Sequence, residues 1–72
     1  MRRFGEKMRT LRERRNMTIR ELAVALGYPA ENNSYISMVE MGKRVPKAEF
    51  MLKVADLFGV TMDQLTRDDQ EV

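Results

Sequence analysis

Acid–base, nucleophilic and metal chemistry all depend on side chains that this sequence supplies sparingly. It contains no cysteine and no histidine. That removes the thiolate nucleophile, the commonest metal ligand, and the side chain best suited to exchange protons near neutrality. Eleven carboxylates are present, yet none is spaced from a partner that would make an acid/base pair. Asp68 and Asp69 are adjacent, but they lie in a terminal tail. No glycine-rich phosphate loop occurs. The seven methionines suit gap-filling in a small core better than copper or haem binding. The expectation is no catalytic residue, no metal site, no cofactor, and hence no enzyme.

What remains is charge. Residues 1–20 carry eight basic and two acidic side chains, residues 21–65 carry four and six, and residues 66–72 carry one and three. A net charge of +2 therefore hides a basic front and an acidic tail. Such a front fits a polyanionic partner and equally a solvated helix face; charge alone does not separate the two. The opening Met1-Arg2-Arg3-Phe4 has the basic start of a secretory signal, but Gly5, Glu6, Lys7 and Arg9 interrupt any apolar stretch. No run approaches the roughly twenty apolar residues of a membrane span. The expected location is the cytoplasm, with no membrane partner. A chain of 72 residues allows one domain with a modest core.

The elements that must position these charges read as helices. Phe4, Met8 and Leu11 recur at helical spacing and predict a first helix over about residues 2–15, stopped by Asn16. Thr18-Ile19-Arg20-Glu21 is a capping box, and Ile19, Leu22, Ala23 and Leu26 form the apolar stripe of a second helix that Gly27 can end. The stretch Tyr28 to Asn33 is turn-rich, with Asn32 as the expected cap of a third helix. In that helix Ile36 and Val39 point inward, and Gly42 is suited to the left-handed position after its end. A fourth helix runs from about Lys47 to Phe58 on a stripe of Met51, Val54, Ala55 and Phe58, and Gly59 breaks it. Thr61 caps a short fifth helix through Leu65. The expected division is a domain over residues 1–66 and a frayed acidic tail over residues 67–72.

The order of residues is more specific than the helix count. The stretches Leu11 to Tyr28, Asn33 to Pro46 and Glu49 to Leu65 resemble the Cro/lambda-repressor-like family, the Xre-type helix-turn-helix proteins. The anchors are Leu11, Arg12, Thr18, Glu21-Leu22-Ala23, Leu26-Gly27, Ile36, Glu40, Gly42-Lys43-Arg44, Pro46, Ala55, Gly59 and Leu65. The resemblance implies an all-α, five-helix domain whose second and third helices form the helix-turn-helix, with the third entering the major groove of double-stranded DNA.

Carried onto this sequence, the resemblance places base reading at Asn33, Ser34, Tyr35, Ser37 and Met38. Asn33 can donate and accept, which suits adenine; Ser34 and Ser37 make short adaptable contacts; Tyr35 and Met38 could meet a thymine methyl. Met38 fits groove and core alike. Tyr35 is assigned to the groove because Ile36 and Val39 already supply the inward face. The resemblance puts phosphate contacts at Lys43, Arg44 and Lys47, with Arg20 as a substitute contact on the second helix. It makes Arg12 and Glu40 a partly buried ion pair joining the first helix to the end of the third.

Three features depart from the family pattern. Ile19 stands where a phosphate-contacting glutamine is usual, Met41 stands where asparagine is usual, and the turn between Gly27 and Ile36 is longer than the common spacing. The function implied is a transcriptional regulator of repressor type, a homodimer joined through Val60, Met62 and Leu65. The rival is an antitoxin or adaptor whose main task is to hold another protein, served by the acidic tail and the methionine-rich surface.

Overall fold

The apolar spacing folds into five α-helices in the computed structural model, which describes residues 1–72. They are α1 (Phe4–Arg14), α2 (Ile19–Ala25), α3 (Asn33–Glu40), α4 (Ala48–Phe58) and α5 (Met62–Thr66), with no strand. The two capping boxes start α2 and α5. The Thr18 hydroxyl accepts from the Glu21 amide at 3.1 Å while the Glu21 carboxylate accepts from the Thr18 amide at 2.8 Å. Thr61 and Gln64 repeat the exchange at 3.0 and 2.8 Å. Each box satisfies amides that would otherwise face water unpaired.

The ends of α1 to α4 are set by left-handed residues. Asn16 takes φ 56° after α1, and the amides of Asn16 and Met17 return to the carbonyls of Glu13 and Arg12. Gly42 does the same after α3 at φ 75°, with the Gly42 and Lys43 amides bonded to Val39 and Met38 carbonyls. This paired closure consumes the terminal carbonyls and reverses the chain within two residues. It therefore decides where the loop carrying Lys43 and Arg44 begins.

Phe4, Met8 and Leu11 of α1 meet Leu22 and Ala23 of α2, Leu26 just after it, Ile36 and Val39 of α3, Phe50, Val54, Ala55 and Phe58 of α4, and Leu65 of α5 in one buried core. Phe50 rather than Met51 leads the inward face of α4; Met51 is half-buried at its edge. The α4 stripe thus runs Phe50, Val54, Phe58, at the i, i+4, i+8 spacing of a face that also closes on α5.

Two further expectations give way. Asn32 makes no side-chain cap bond. Instead Ala30–Asn32 wind into a 3₁₀ turn, with the Asn32 amide on the Pro29 carbonyl at 2.9 Å, that leads directly into α3. Pro29, at φ −60°, is already set for the residue that opens such a turn. The acidic tail is also not a loose end. Asp68 accepts from the amides of Arg2 and Arg3 at 2.9 and 3.1 Å, and the Arg3 guanidinium holds both oxygens of Glu71 at 2.7 and 2.8 Å. The basic front is what the tail folds onto, so the charge asymmetry of the sequence is partly cancelled within the molecule.

Lys7 completes this brace. Its side chain is buried, and its ammonium donates to the Gln64 and Arg67 carbonyls, each at 2.6 Å. A cation at the end of α5 satisfies carbonyls that have no partner within the helix and meets the negative end of its dipole. No helix is long and apolar enough to cross a membrane.

Candidate nucleic-acid interface

The inward side of α3 is fixed by Ile36 and Val39, both fully buried. Helical geometry then puts Ser34, Ser37, Met38 and Met41 on one outward stripe, at i, i+3, i+4 and i+7. Ser34 and Met41 are exposed, Asn33, Ser37 and Met38 are half-buried, and Met38 is not among the side chains packed on the core. A stripe of short polar groups ending in two thioethers has no partner in the fold. It offers donors, acceptors and soft apolar surface along one edge.

The end of this helix is clamped. Arg12 Nε donates to Glu40 Oε2 at 2.7 Å and Arg12 Nη2 to Glu40 Oε1 at 3.1 Å, while Nη1 reaches the Met17 carbonyl at 2.7 Å. The two side chains are only 12% and 5% exposed. The pair is bidentate and sheltered, the geometry in which a guanidinium–carboxylate contact is most directional. The hydrogen bond to Glu40 raises the pKa of Arg12, so its charge is permanent. Gly5 tightens the same junction: a methyl group there would collide with the Val39 carbonyl oxygen, so only glycine lets α1 approach α3 this closely.

Beyond Gly42, Lys43, Arg44 and Lys47 project from the α3–α4 loop, all exposed and none bonded to a carboxylate. Lys47 is the residue from which α4 starts. Free cations beside an outward polar stripe form a surface that can hold phosphate with one part and bases with another.

A helix-turn-helix family model matches residues 8–65 of the chain. The protein is a member of that helix-turn-helix family. The match covers α2, the 3₁₀ turn and α3 and extends to the end of the core at Leu65. The architecture is that of the lambda-repressor-like, Xre-type branch, a family of DNA-binding regulators and not of enzymes. The chain is also 40% identical over 63 residues to the HTH-type transcriptional repressor RghR of Bacillus subtilis (strain 168), a match covering 86% of this chain and 44% of that protein. The chain thus spans less than half the length of that relative. No solved structure matches it.

Two assignments change. Tyr35 packs inward: its ring meets Phe50 edge-on at 5.3 Å, with the Arg44 guanidinium 5.4 Å above it. The long side chain reaches past Ile36 to α4 because Phe50 lies there, and Phe50 was absent from the inward face expected of α4. Leu65, expected at a dimer surface, is completely buried and belongs to the core. Val60 and Met62 are half-buried and packed against that core, leaving part of each at the α4–α5 corner. Arg20 is exposed and lines a shallow groove with Glu21, Val24, Ala25 and Ala30, apart from the basic loop.

Four residues that matter to this geometry have no role in it on the sequence reading. Met41 extends the α3 stripe, and its i+7 spacing from Ser34 was the available signal. Gly5, Lys7 and Asp68 act through contacts between distant parts of the chain, for which local sequence carries no signal.

Proposed function

We propose that this chain binds double-stranded DNA sequence-specifically as a repressor-type regulator, working as a dimer with α3 in the major groove. The observation that carries this reading is the unpartnered stripe of α3 held beside three free cations by the Arg12–Glu40 clamp. Asn33, Ser34, Ser37, Met38 and Met41 face base edges, with the serines and Asn33 as hydrogen-bonding groups and the methionines against thymine methyls. Lys43, Arg44 and Lys47 hold phosphates and set register, and Arg20 approaches the backbone from α2. The repressor name of the 40% identical relative supports the regulatory role.

One α3 of eight residues spans few base pairs, which favours two copies on a divided site. The α4–α5 corner, with Val60 and Met62 partly uncovered, is the proposed contact. Half-sites would then lie about 34 Å apart.

The test is selection of bound fragments from random duplexes, then titration of variants on the selected site and a scrambled one at two salt concentrations. Lys43→Ala and Arg44→Ala weaken both duplexes alike and flatten the salt dependence. Asn33→Ala and Ser37→Ala cost about 1–3 kcal/mol on the selected site and leave non-specific binding intact. Equal losses on both duplexes for all four variants would show that α3 does not read sequence. Monomer at high concentration in sedimentation, even with DNA bound, would remove the dimer.

A second reading, an antitoxin or adaptor that grips a protein, rests on the exposed apolar side chains Val24 and Leu52, 59% and 51% accessible. It takes first place if none of the four variants changes DNA binding.

A further inference from the structure

The start of α1 lies against the basic loop. Phe4 and Gly5, with Met1 and Arg2 before them, share a cleft of about 230 Å³ with Val39, Gly42, Arg44, Val45 and Pro46. Two arginines therefore line one cleft, Arg2 from the chain start and Arg44, whose guanidinium lies over Tyr35, from the loop. The Arg2 side chain is exposed and makes no ion pair; only its backbone amide is engaged.

That engagement is with Asp68. Both Asp68 oxygens accept from the Arg2 amide, at 2.9 and 3.2 Å, and Oδ1 also accepts from the Arg3 amide at 3.1 Å. Arg2, two residues before α1, is thereby held in place by a carboxylate 66 positions away. The hydrogen bonds from the Arg2 and Arg3 amides keep the Asp68 pKa below its ordinary value, so the contact persists at neutral pH.

We propose that Arg2 is a further phosphate-binding residue, set beside Arg44 by Asp68, so that the acidic tail strengthens DNA binding. This rests on the reading of Lys43 and Arg44 as phosphate contacts. It runs against simple electrostatics, in which a carboxylate near a polyanion weakens association and its removal strengthens it. Asp68 acts here as a positioning residue: its negative charge is spent on two backbone amides and on the terminal ammonium 3.8 Å away, and what it contributes is the location of the Arg2 backbone from which the guanidinium extends.

The experiment measures affinity for the selected duplex, at two salt concentrations, for the whole chain and for Arg2→Ala, Asp68→Ala, Asp68→Asn, the Arg2→Ala/Asp68→Ala double variant and Lys43→Ala. Circular dichroism at the assay temperature checks that each is folded. Arg2→Ala weakens binding severalfold on selected and scrambled duplexes alike, and the slope of log affinity against log salt becomes shallower by about one. Asp68→Ala also weakens binding although it makes the chain more positive, and it adds no loss in the Arg2→Ala background. Asp68→Asn, whose amide oxygen still accepts from the backbone, keeps at least the original affinity.

The proposal is overturned if Asp68→Ala binds as tightly as the original chain or more tightly. It is also overturned if Asp68→Asn loses as much as Asp68→Ala, since position is then not what the carboxylate supplies. An unchanged Arg2→Ala beside a weakened Lys43→Ala removes Arg2 from the grip while leaving the DNA reading in place. An unchanged Lys43→Ala means that the DNA reading itself has failed.

Discussion

Arg12 Nε lies 2.7 Å from Glu40 Oε2, which ties the last turn of α1 to the last residue of α3 just before the chain turns into the basic loop. The same guanidinium holds the Met17 carbonyl, so one side chain sets the relation of α1 to both helices of the helix-turn-helix. A surface pair could not do this, since exposed ions gain little from each other and move freely.

Removing either partner leaves the other sheltered and uncompensated. Arg12→Ala and Glu40→Ala are each expected to cost about 3–5 kcal/mol. In a domain of this size that lowers the melting temperature by more than about 10 °C. The double variant loses much less than the sum. Small, additive losses in a thermal double-mutant cycle would show that the pair behaves as an exposed one.

Lys7 makes a different bargain, because its ammonium meets carbonyl dipoles and no carboxylate. Lys7→Met keeps the buried stem but leaves the Gln64 and Arg67 carbonyls without this donor, a loss of about 1–3 kcal/mol. Lys7→Ala removes the stem as well and costs more. Urea denaturation measures both. Equal stability of Lys7→Met and the original chain would reduce the lysine to its hydrocarbon.

Gly5→Ala sets two effects against each other. Alanine gains about 1 kcal/mol over glycine inside a helix. Against this, the added methyl meets the Val39 carbonyl oxygen, a backbone atom that no rotamer change can remove. Overpacking of this kind costs about 1–3 kcal/mol, so the net effect is destabilising. A melting temperature above that of the original chain would show that α1 can shift away from α3 at no cost.

Acid should loosen the brace between tail and α1. The Arg2 amide lowers the Asp68 pKa from 3.8, the Arg3 guanidinium lowers that of Glu71 from 4.5, and the Thr18 amide lowers that of Glu21 from 4.5. Groups with depressed folded values stabilise the fold above their unfolded values and lose that contribution as pH falls through the folded ones. The melting temperature is therefore flat from pH 5 to 7, where no side chain of ordinary pKa titrates in a chain without histidine, and falls below about pH 4. Asp68→Ala shows a weaker acid dependence. A midpoint of destabilisation near pH 6 would contradict this account.

Local sequence carried the helices well, because each is written in terms of neighbours. The capping boxes at Thr18 and Thr61, the stop at Gly42 and the buried faces of α1 to α3 depend on residues within one or two turns of each other. The Arg12–Glu40 pair came from resemblance, not from spacing. What local pattern could not show were contacts across the fold: Gly5 against Val39, Lys7 against the end of α5, Asp68 against the first amides. Leu65 and Tyr35 illustrate the same limit. Each has the character of a surface contributor by position, and each is drawn inward by a partner far along the chain.

The placing of the aromatic side chains has a practical consequence. The sequence has no tryptophan and two tyrosines. Tyr28 stacks on Phe50 at 6.1 Å with the Lys53 ammonium 4.5 Å from its ring centre, and Tyr35 meets the same Phe50 from its edge with Arg44 above. All of the protein's near-ultraviolet emission and circular dichroism from tyrosine therefore originates at a single corner, where the start of the turn, α3 and α4 converge. That signal works as a built-in local gauge. It is sensitive to whatever displaces Arg44 or tilts α3.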